Sequence, residues 1–323
     1  MSDATDRSTT PIAPTTPTQD RRSFLTTLGG AALAAGGMGI FGCATRPNGS
    51  ATSGESSRAS GASASGGGAA IAPIGLQLYT VRDEMKRDMA ATLAHVARIG
   101  YKEVEFAGYF DRTPEQVRAM LDANGLRAPS AHIPLQMIQS NPAAVIAAAK
   151  TIGHEYVIHP YVDEKSRGTT IAAWRDMARA MNDAGAQLAS SGLKFGYHNH
   201  DFEFPLVEGK MPYEILVSET DPRYVVMEMD LYWATKAGQD PLAWFAKYPG
   251  RFQLVHVKDS RGAPNNEMTP VGSGTIDWKR IFAQRAQAGI QHYIVEHDSA
   301  ADYAGGAFAS IESSYNYLSK LRV

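Results

Sequence analysis

The chain of 323 residues sets 31 basic side chains against 33 acidic ones, a formal net charge of −2. That balance supplies no strong field toward nucleic acid or an anionic membrane surface, and argues against a polyanionic partner. A single cysteine, Cys43, allows neither an intramolecular disulfide nor a thiolate zinc cluster, so any metal site must be built from His, Asp and Glu. The composition, 44% hydrophobic and 20% charged, is that of a soluble globular protein, and the length suits one barrel-sized enzyme domain with extras.

Residues 1–20 are rich in Thr, Pro, Ser and Asp and lack apolar periodicity. Arg21-Arg22-Ser23-Phe24-Leu25 then precedes a weakly apolar run over residues 28–41 made mostly of Gly and Ala. A membrane span wants about 20 residues dominated by Leu, Ile and Val. The segment over 1–43 instead resembles a twin-arginine signal, with the arginine pair as its charged region and the Gly/Ala run as its core. The expected partner is the twin-arginine export machinery, and the expected location is the periplasm or cell envelope. Ile40-Phe41-Gly42-Cys43 is similar to a lipobox, although Phe41 is unusual there. Two readings stand: acylation of Cys43, which would be the one attachment to a membrane, or ordinary cleavage nearby. Residues 44–70 are almost wholly Ser, Gly, Ala and Thr, a flexible linker. The folded domain is expected over 71–323.

From residue 74 onward short β-prone runs alternate with helical patterns. The first run is Ile74–Tyr79. Gly100, Gly125, Gly153, Gly192, Gly250 and Gly289 each close a helical stretch, as residues just past a helix C-terminus do. After them come the runs Tyr101–Phe106, Leu126–His132, His154–His159, Leu193–His198, Arg251–His256 and Ile290–Glu296, and Tyr224–Asp230 follows Asp221-Pro222. Helix starts are marked at Thr113-Pro114-Glu115-Gln116, Asn141-Pro142 and Asp240-Pro241. Eight strands alternating with helices over about 250 residues predict a closed (β/α)8 TIM barrel. An open doubly wound sheet would carry a glycine-rich turn after its first strand, where this chain has Gln77-Leu78-Tyr79-Thr80.

Polar residues gather where these strands end: Gln77, Glu105, His132, His159, His198-Asn199-His200, Glu228-Met229-Asp230, His256-Val257-Lys258-Asp259 and Glu296-His297-Asp298. In a parallel barrel those ends converge on one face, where active sites form. Six of the nine histidines lie there, while His95, His154 and His292 fall in a helix or at strand entrances. Imidazole and carboxylate without thiolate suit one divalent metal ion, Mn²⁺, Mg²⁺, Co²⁺, Fe²⁺ or Zn²⁺. Side-chain alternation puts His198 with His200, Glu228 with Asp230, and His256 with Lys258 on shared faces.

The span from Ile74 onward resembles the xylose isomerase-like barrels, the group of sugar phosphate isomerases/epimerases and AP endonuclease family 2. The segments that carry it are Gly75–Thr80, Ala131–Leu135, Tyr197–Phe204, Met229–Trp233, Val255–Asp259, Val271–Trp278 and Val295–Asp298. The resemblance implies a divalent metal at the ends of strands five to eight, held by Asp230, His256, Glu296 and a fourth group. His198 stands where many relatives have glutamate, and Glu203 is its rival. Trp233 replaces a histidine that binds substrate in many relatives.

The implied chemistry is sugar isomerisation or epimerisation, by proton transfer next to a carbonyl. Glu296 is the expected base, with His198, His200 or Glu203 as the candidates for a second proton-transfer group, and Lys258 is either an oxyanion partner or a salt-bridge member. Glu105, His132, His159 and Trp233 are the expected substrate-binding residues. Three other readings remain: a metal-dependent lyase or hydratase of 3-keto sugars or glycosides, a non-catalytic carbohydrate-binding lipoprotein, and a nuclease, against which export and charge both argue. The loop Val271-Gly272-Ser273-Gly274 reads as a phosphate cradle or as a plain turn. No Lys/Arg cluster grips a sugar phosphate, so a small unphosphorylated sugar is the expected substrate.

Overall fold

The computed structural model describes residues 68–323, so the arginine pair, the Gly/Ala run and Cys43 lie outside the described residues. Eight parallel strands close into a barrel: β1 (Ile74–Gln77), β2 (Glu103–Phe106), β3 (Arg127–His132), β4 (Tyr156–His159), β5 (Lys194–His198), β6 (Val225–Asp230), β7 (Leu254–Val257) and β8 (His292–Val295). Each pairs with its neighbour in chain order, and β8 closes the ring on β1 through Ile74–Tyr293, Gly75–Ile294 and Leu76–Val295. All eight expected runs therefore form strands, each shorter by one to three residues at one or both ends, and β7 runs one residue past its expected end, to Val257.

The three marked helix starts are observed, and Gly100, Gly153 and Gly289 sit at the C-caps of their helices, while Gly192 and Gly250 lie two residues past the C-caps Ser190 and Tyr248. Thr113 accepts the Gln116 N–H while the Gln116 side chain accepts the Thr113 N–H, a complete capping box ahead of Pro114–Ala123. Asn141 and Asp240 cap the helices that start at Pro142 and Pro241. Gly153 and Gly289 end their helices at φ of 94° and 84°, a region a side chain would resist. Between the helices and the outer face of the sheet lies one apolar core that includes Trp174, Trp278, Phe195 and Phe282. Among the described residues no helix is long and apolar enough to cross a membrane.

Two features lie beyond the sequence reading. Ala69 C=O accepts the Val323 N–H at 3.0 Å, and Ala70 bridges to Arg322, so contact with the barrel begins before residue 71. After β7 the chain also forms a short antiparallel ribbon, Asp259–Ser260 against Met268–Thr269.

Candidate active site

The inside of the barrel is stratified. In its middle a small apolar cluster of Tyr156, Ile158, Val226, Leu254 and Ile294 fills the bore. Gly196 on β5 makes room for it, since a Cβ there would lie 2.4 Å from Ile158 Cδ1. Below this plug, at the strand entrances, His292 Nδ1 lies 2.8 Å from Glu103 Oε2. The plug makes the upper half a cup with one mouth, and every inward polar side chain above it comes from a downstream strand end.

The lower tier of the cup consists of Gln77, Glu105, His132 and Glu228. Gln77 Nε2 donates to Glu105 Oε1 at 2.7 Å. His132 Nε2 lies 2.9 Å from Glu105 Oε1 and 2.8 Å from Glu228 Oε2, bridging the two carboxylates. The upper tier is His198, Asp230, His256, Glu296 and Lys258. Four of these, His198, Asp230, His256 and Glu296, each present a ligand atom within 4.8 Å of the others. A second set, His132, His198, Glu228 and His256, meets the same criterion one tier down. The tiers meet through the rings of His198 and His256, whose centroids are 4.4 Å apart.

The donor set suits a divalent cation. Four carboxylates, Glu105, Glu228, Asp230 and Glu296, are buried in the two tiers, and the Lys258 ammonium lies against Asp230 and Glu296. The other cationic groups of the tiers are His132 and His256, whose affinity for a proton the neighbouring carboxylates raise despite burial. Such an excess of negative charge away from water is costly unless cations or protons offset it. Asp230 Oδ2 accepts no hydrogen bond, although the Lys258 ammonium lies 3.0 Å away, outside hydrogen-bond alignment. The mixture of two imidazoles and two carboxylates is a ligand set that Zn²⁺, Mn²⁺, Fe²⁺ or Co²⁺ accepts.

Proton affinities follow from burial and neighbours. Burial alone would raise the Glu296 carboxyl, but Lys258 and His256 beside it hold it well below the usual range. Burial lifts Asp230 to about 6 against the pull of Lys258. Burial, followed by the positive neighbours His256 and Lys258 respectively, pushes His198 and His200 well down, so both imidazoles are neutral near pH 7. Lys258 stays charged, because Asp230, Asp298 and Glu296 outweigh its burial.

At the mouth, the His200 ring lies 5.5 Å from Trp233, and both His200 Nδ1 and Trp233 Nε1 are buried without a hydrogen-bond partner. Lys258 pairs with Glu296 at 2.6 Å and with Asp298 at 3.0 Å.

Other residues named from the sequence are placed differently. Glu203 follows β5 in a loop and turns away from the bore: Tyr197 O–H donates to it at 2.6 Å and the His200 N–H at 2.9 Å. It is thus separate from both candidate ligand sets. His159 is paired with Tyr197 on the outward parity of β4, where its Nδ1 accepts the Leu135 N–H at 3.3 Å. It packs behind the strand, since Ile158 takes the inward position. Glu105 and His132 do point inward, but they sit beneath the upper tier, in contact with Glu228 and His256 instead of at the rim. Glu228, which carries no role in the sequence reading, proves central. Its signal is parity, two residues before Asp230 on the same strand face.

The loop after β7 resolves into the plain turn. Its backbone wraps a carboxylate of this chain: Asp259 accepts the N–H groups of Ser260, Gly272, Gly274 and Ile276 and the indole N–H of Trp278, at 2.8–3.2 Å. Gly274 is required, since a Cβ there would lie 2.1 Å from Asp259 Oδ1.

Comparison with known proteins agrees with this architecture. Inosose dehydratase of Lacticaseibacillus casei is 24% identical over 231 residues, spanning 61% of this chain and 77% of that protein. A sugar phosphate isomerase/epimerase of Parabacteroides distasonis superposes with a TM-score of 0.67 at 26% identity, covering 79% of this chain and 95% of that one. The IOLI protein, solved with a zinc atom bound, shares the fold at a TM-score of 0.61 and 15% identity, over 75% of this chain and 95% of its own. The family model for the xylose isomerase-like TIM barrel matches residues 93–314. Matched over that span, the chain belongs to the xylose isomerase-like TIM barrel family.

Proposed function

We propose that the protein is a metal-dependent lyase that removes water from a small, neutral, polyhydroxylated ketone of the inosose or 3-keto-sugar kind. The observation that carries this reading is the make-up of the upper tier. Where a second glutamate would permit proton transfer on both faces of a carbon, this chain has His198, neutral and engaged with Glu228 at 3.2 Å. Asp230 is fully buried and caps the Trp233 N–H at 2.9 Å. Glu296 is left as the carboxylate of the ligand set that Lys258 and His256 hold ionised against its burial, which suits an elimination better than an epimerisation. The likeness to inosose dehydratase supports the same choice.

A divalent ion held by His198, Asp230, His256 and Glu296 would supply Lewis acidity to the ketone oxygen and its neighbouring hydroxyl. The chain's own groups do the rest. Glu296 accepts the proton from the carbon beside the carbonyl. Electron density moves onto the carbonyl oxygen, where the Lys258 ammonium stabilises it. The C–O bond on the next carbon breaks, and the proton held by Glu296 passes to the departing oxygen, which leaves as water. The carboxylate is thereby restored.

The neutral character of the substrate follows from the mouth. Arg82 donates to the Tyr79 and Asp298 carbonyls, Arg167 lies over Phe202 and donates to Tyr161 O–H, and Lys236 pairs with Asp201. These cations are engaged within the protein, while the Trp233 indole and His200 offer N–H and lone-pair groups suited to hydroxyls. Incubating the metal-loaded protein with inosose or a 3-keto-glucoside in deuterated water tests the proposal. Formation of an enone or its tautomer with release of water supports it. Deuterium incorporation with inversion and no loss of water would instead identify an epimerase, with His200 as the second proton-transfer group.

A further inference from the structure

We infer that Gln77, Glu105 and Glu228 are positioning residues that fix which nitrogen of His256 and of His198 faces the metal, and so limit the site to one ion; this rests on the metal-binding reading above. The two candidate ligand sets share His198 and His256 but use opposite nitrogens of each ring. His256 Nδ1 faces Glu296 Oε2 at 2.7 Å, whereas its Nε2 faces Glu105 Oε1 at 2.8 Å. His198 Nε2 faces Asp230 Oδ2 at 3.7 Å, whereas its Nδ1 faces Glu228 Oε2 at 3.2 Å. A neutral imidazole has one lone pair, with a proton on the other nitrogen. Only one of the two sets can therefore take these rings as ligands.

A backbone group decides which. The Tyr79 N–H donates to Gln77 Oε1 at 3.0 Å. That contact fixes the orientation of the Gln77 amide, so its NH₂ must point at Glu105, to which it donates at 2.7 Å. Glu105 Oε1 is thereby committed as an acceptor, and the His256 nitrogen facing it must be the one that carries hydrogen. The lone pair of His256 is left on Nδ1, toward Glu296. His132 ties Glu105 to Glu228 at 2.9 and 2.8 Å. Glu228 Oε2 then takes the Nδ1–H of His198, and the lone pair of that ring points from Nε2 toward Asp230. Both rings are thus aimed at the upper set, and the lower set acts as their hydrogen-bonded support.

The test uses the full-length protein loaded with ¹¹³Cd and labelled with ¹⁵N-histidine. The expected result is one cadmium per chain, with coupling to Nδ1 of His256 and Nε2 of His198. Gln77→Leu and Glu105→Leu should each weaken Zn²⁺ affinity by about 10–100-fold in chelator competition, as loss of a ligand's support does elsewhere. Glu105→Gln, which keeps an acceptor oxygen, should stay within a few-fold of the wild type and show that the fold tolerates a neutral group there. Two ions per chain, coupling to Nε2 of His256, or unchanged affinity in both leucine variants would overturn the inference while leaving the metal site in place. No cadmium binding at all would overturn the metal reading itself.

Discussion

The Lys258 ammonium lies 2.6 Å from Glu296 Oε2, an ion pair in which Lys258 is almost wholly buried. The same ammonium reaches Asp230, so it touches both carboxylates of the upper ligand set. Lys258→Met should therefore leave metal affinity equal or higher, because a competing cation has gone, while lowering kcat by roughly 10²–10³-fold through loss of oxyanion stabilisation. Metal content and steady-state rates measured side by side check this. A variant that loses its metal would make Lys258 a structural support.

Stability should fall in acid through His154, far from the mouth. Its ring is buried between Ala128 C=O, 2.7 Å from Nδ1, and Tyr109 O–H, 3.0 Å from Nε2. Burial depresses its pKa to about 4. The unfolded chain takes up this proton near pH 6.5, so the stabilisation is complete above that value and is lost as pH falls toward about 4. At pH 5 the loss is about 2 kcal/mol. Urea midpoints of chelator-treated protein at pH 7 and pH 5 measure it, and His154→Gln should shrink the difference by about that amount, leaving the share of the other buried imidazoles, His198, His200 and His297.

Much of this architecture was legible because the signals are local. Gly153 and Gly289 end helices through their backbone conformation alone, and the Thr113–Gln116 capping box lies within four residues. The upper tier was legible through the family resemblance, which implies Asp230, His256 and Glu296 as ligands; parity adds that Asp230 and His256 face inward side by side, while Glu296 stands one inward step beyond Ile294, the partner of His256. Height within the bore was not. Alternation says that Glu105 and His132 point inward, whereas their depth depends on barrel stagger and on the register shift between β2 and β3. Glu203 lies past the end of β5, where the alternation no longer applies. The role of Asp259 was hidden for another reason: its backbone donors lie up to 17 residues downstream, and no short-range pattern marks them.

Export is proposed to depend on the arginine pair. Replacing Arg21 and Arg22 with lysine should leave folded protein in the cytoplasm of a bacterial host. Fractionation followed by immunoblotting reads the outcome, and continued appearance in the periplasm would remove the twin-arginine reading. Loss of fatty-acid labelling in Cys43→Ala would separately identify acylation.

The metal content of the purified protein tests the central claim most directly. Elemental analysis of wild-type protein from metal-supplemented cells should find about one divalent ion per chain, with none retained after dialysis of Asp230→Ala or His256→Ala, since loss of a direct ligand costs more than the 10–100-fold typical of an outer partner. Glu296→Gln should keep much of its metal, because the amide oxygen still coordinates, while losing turnover. Wild-type protein without bound metal, whose stability and activity are indifferent to chelators, would contradict the account.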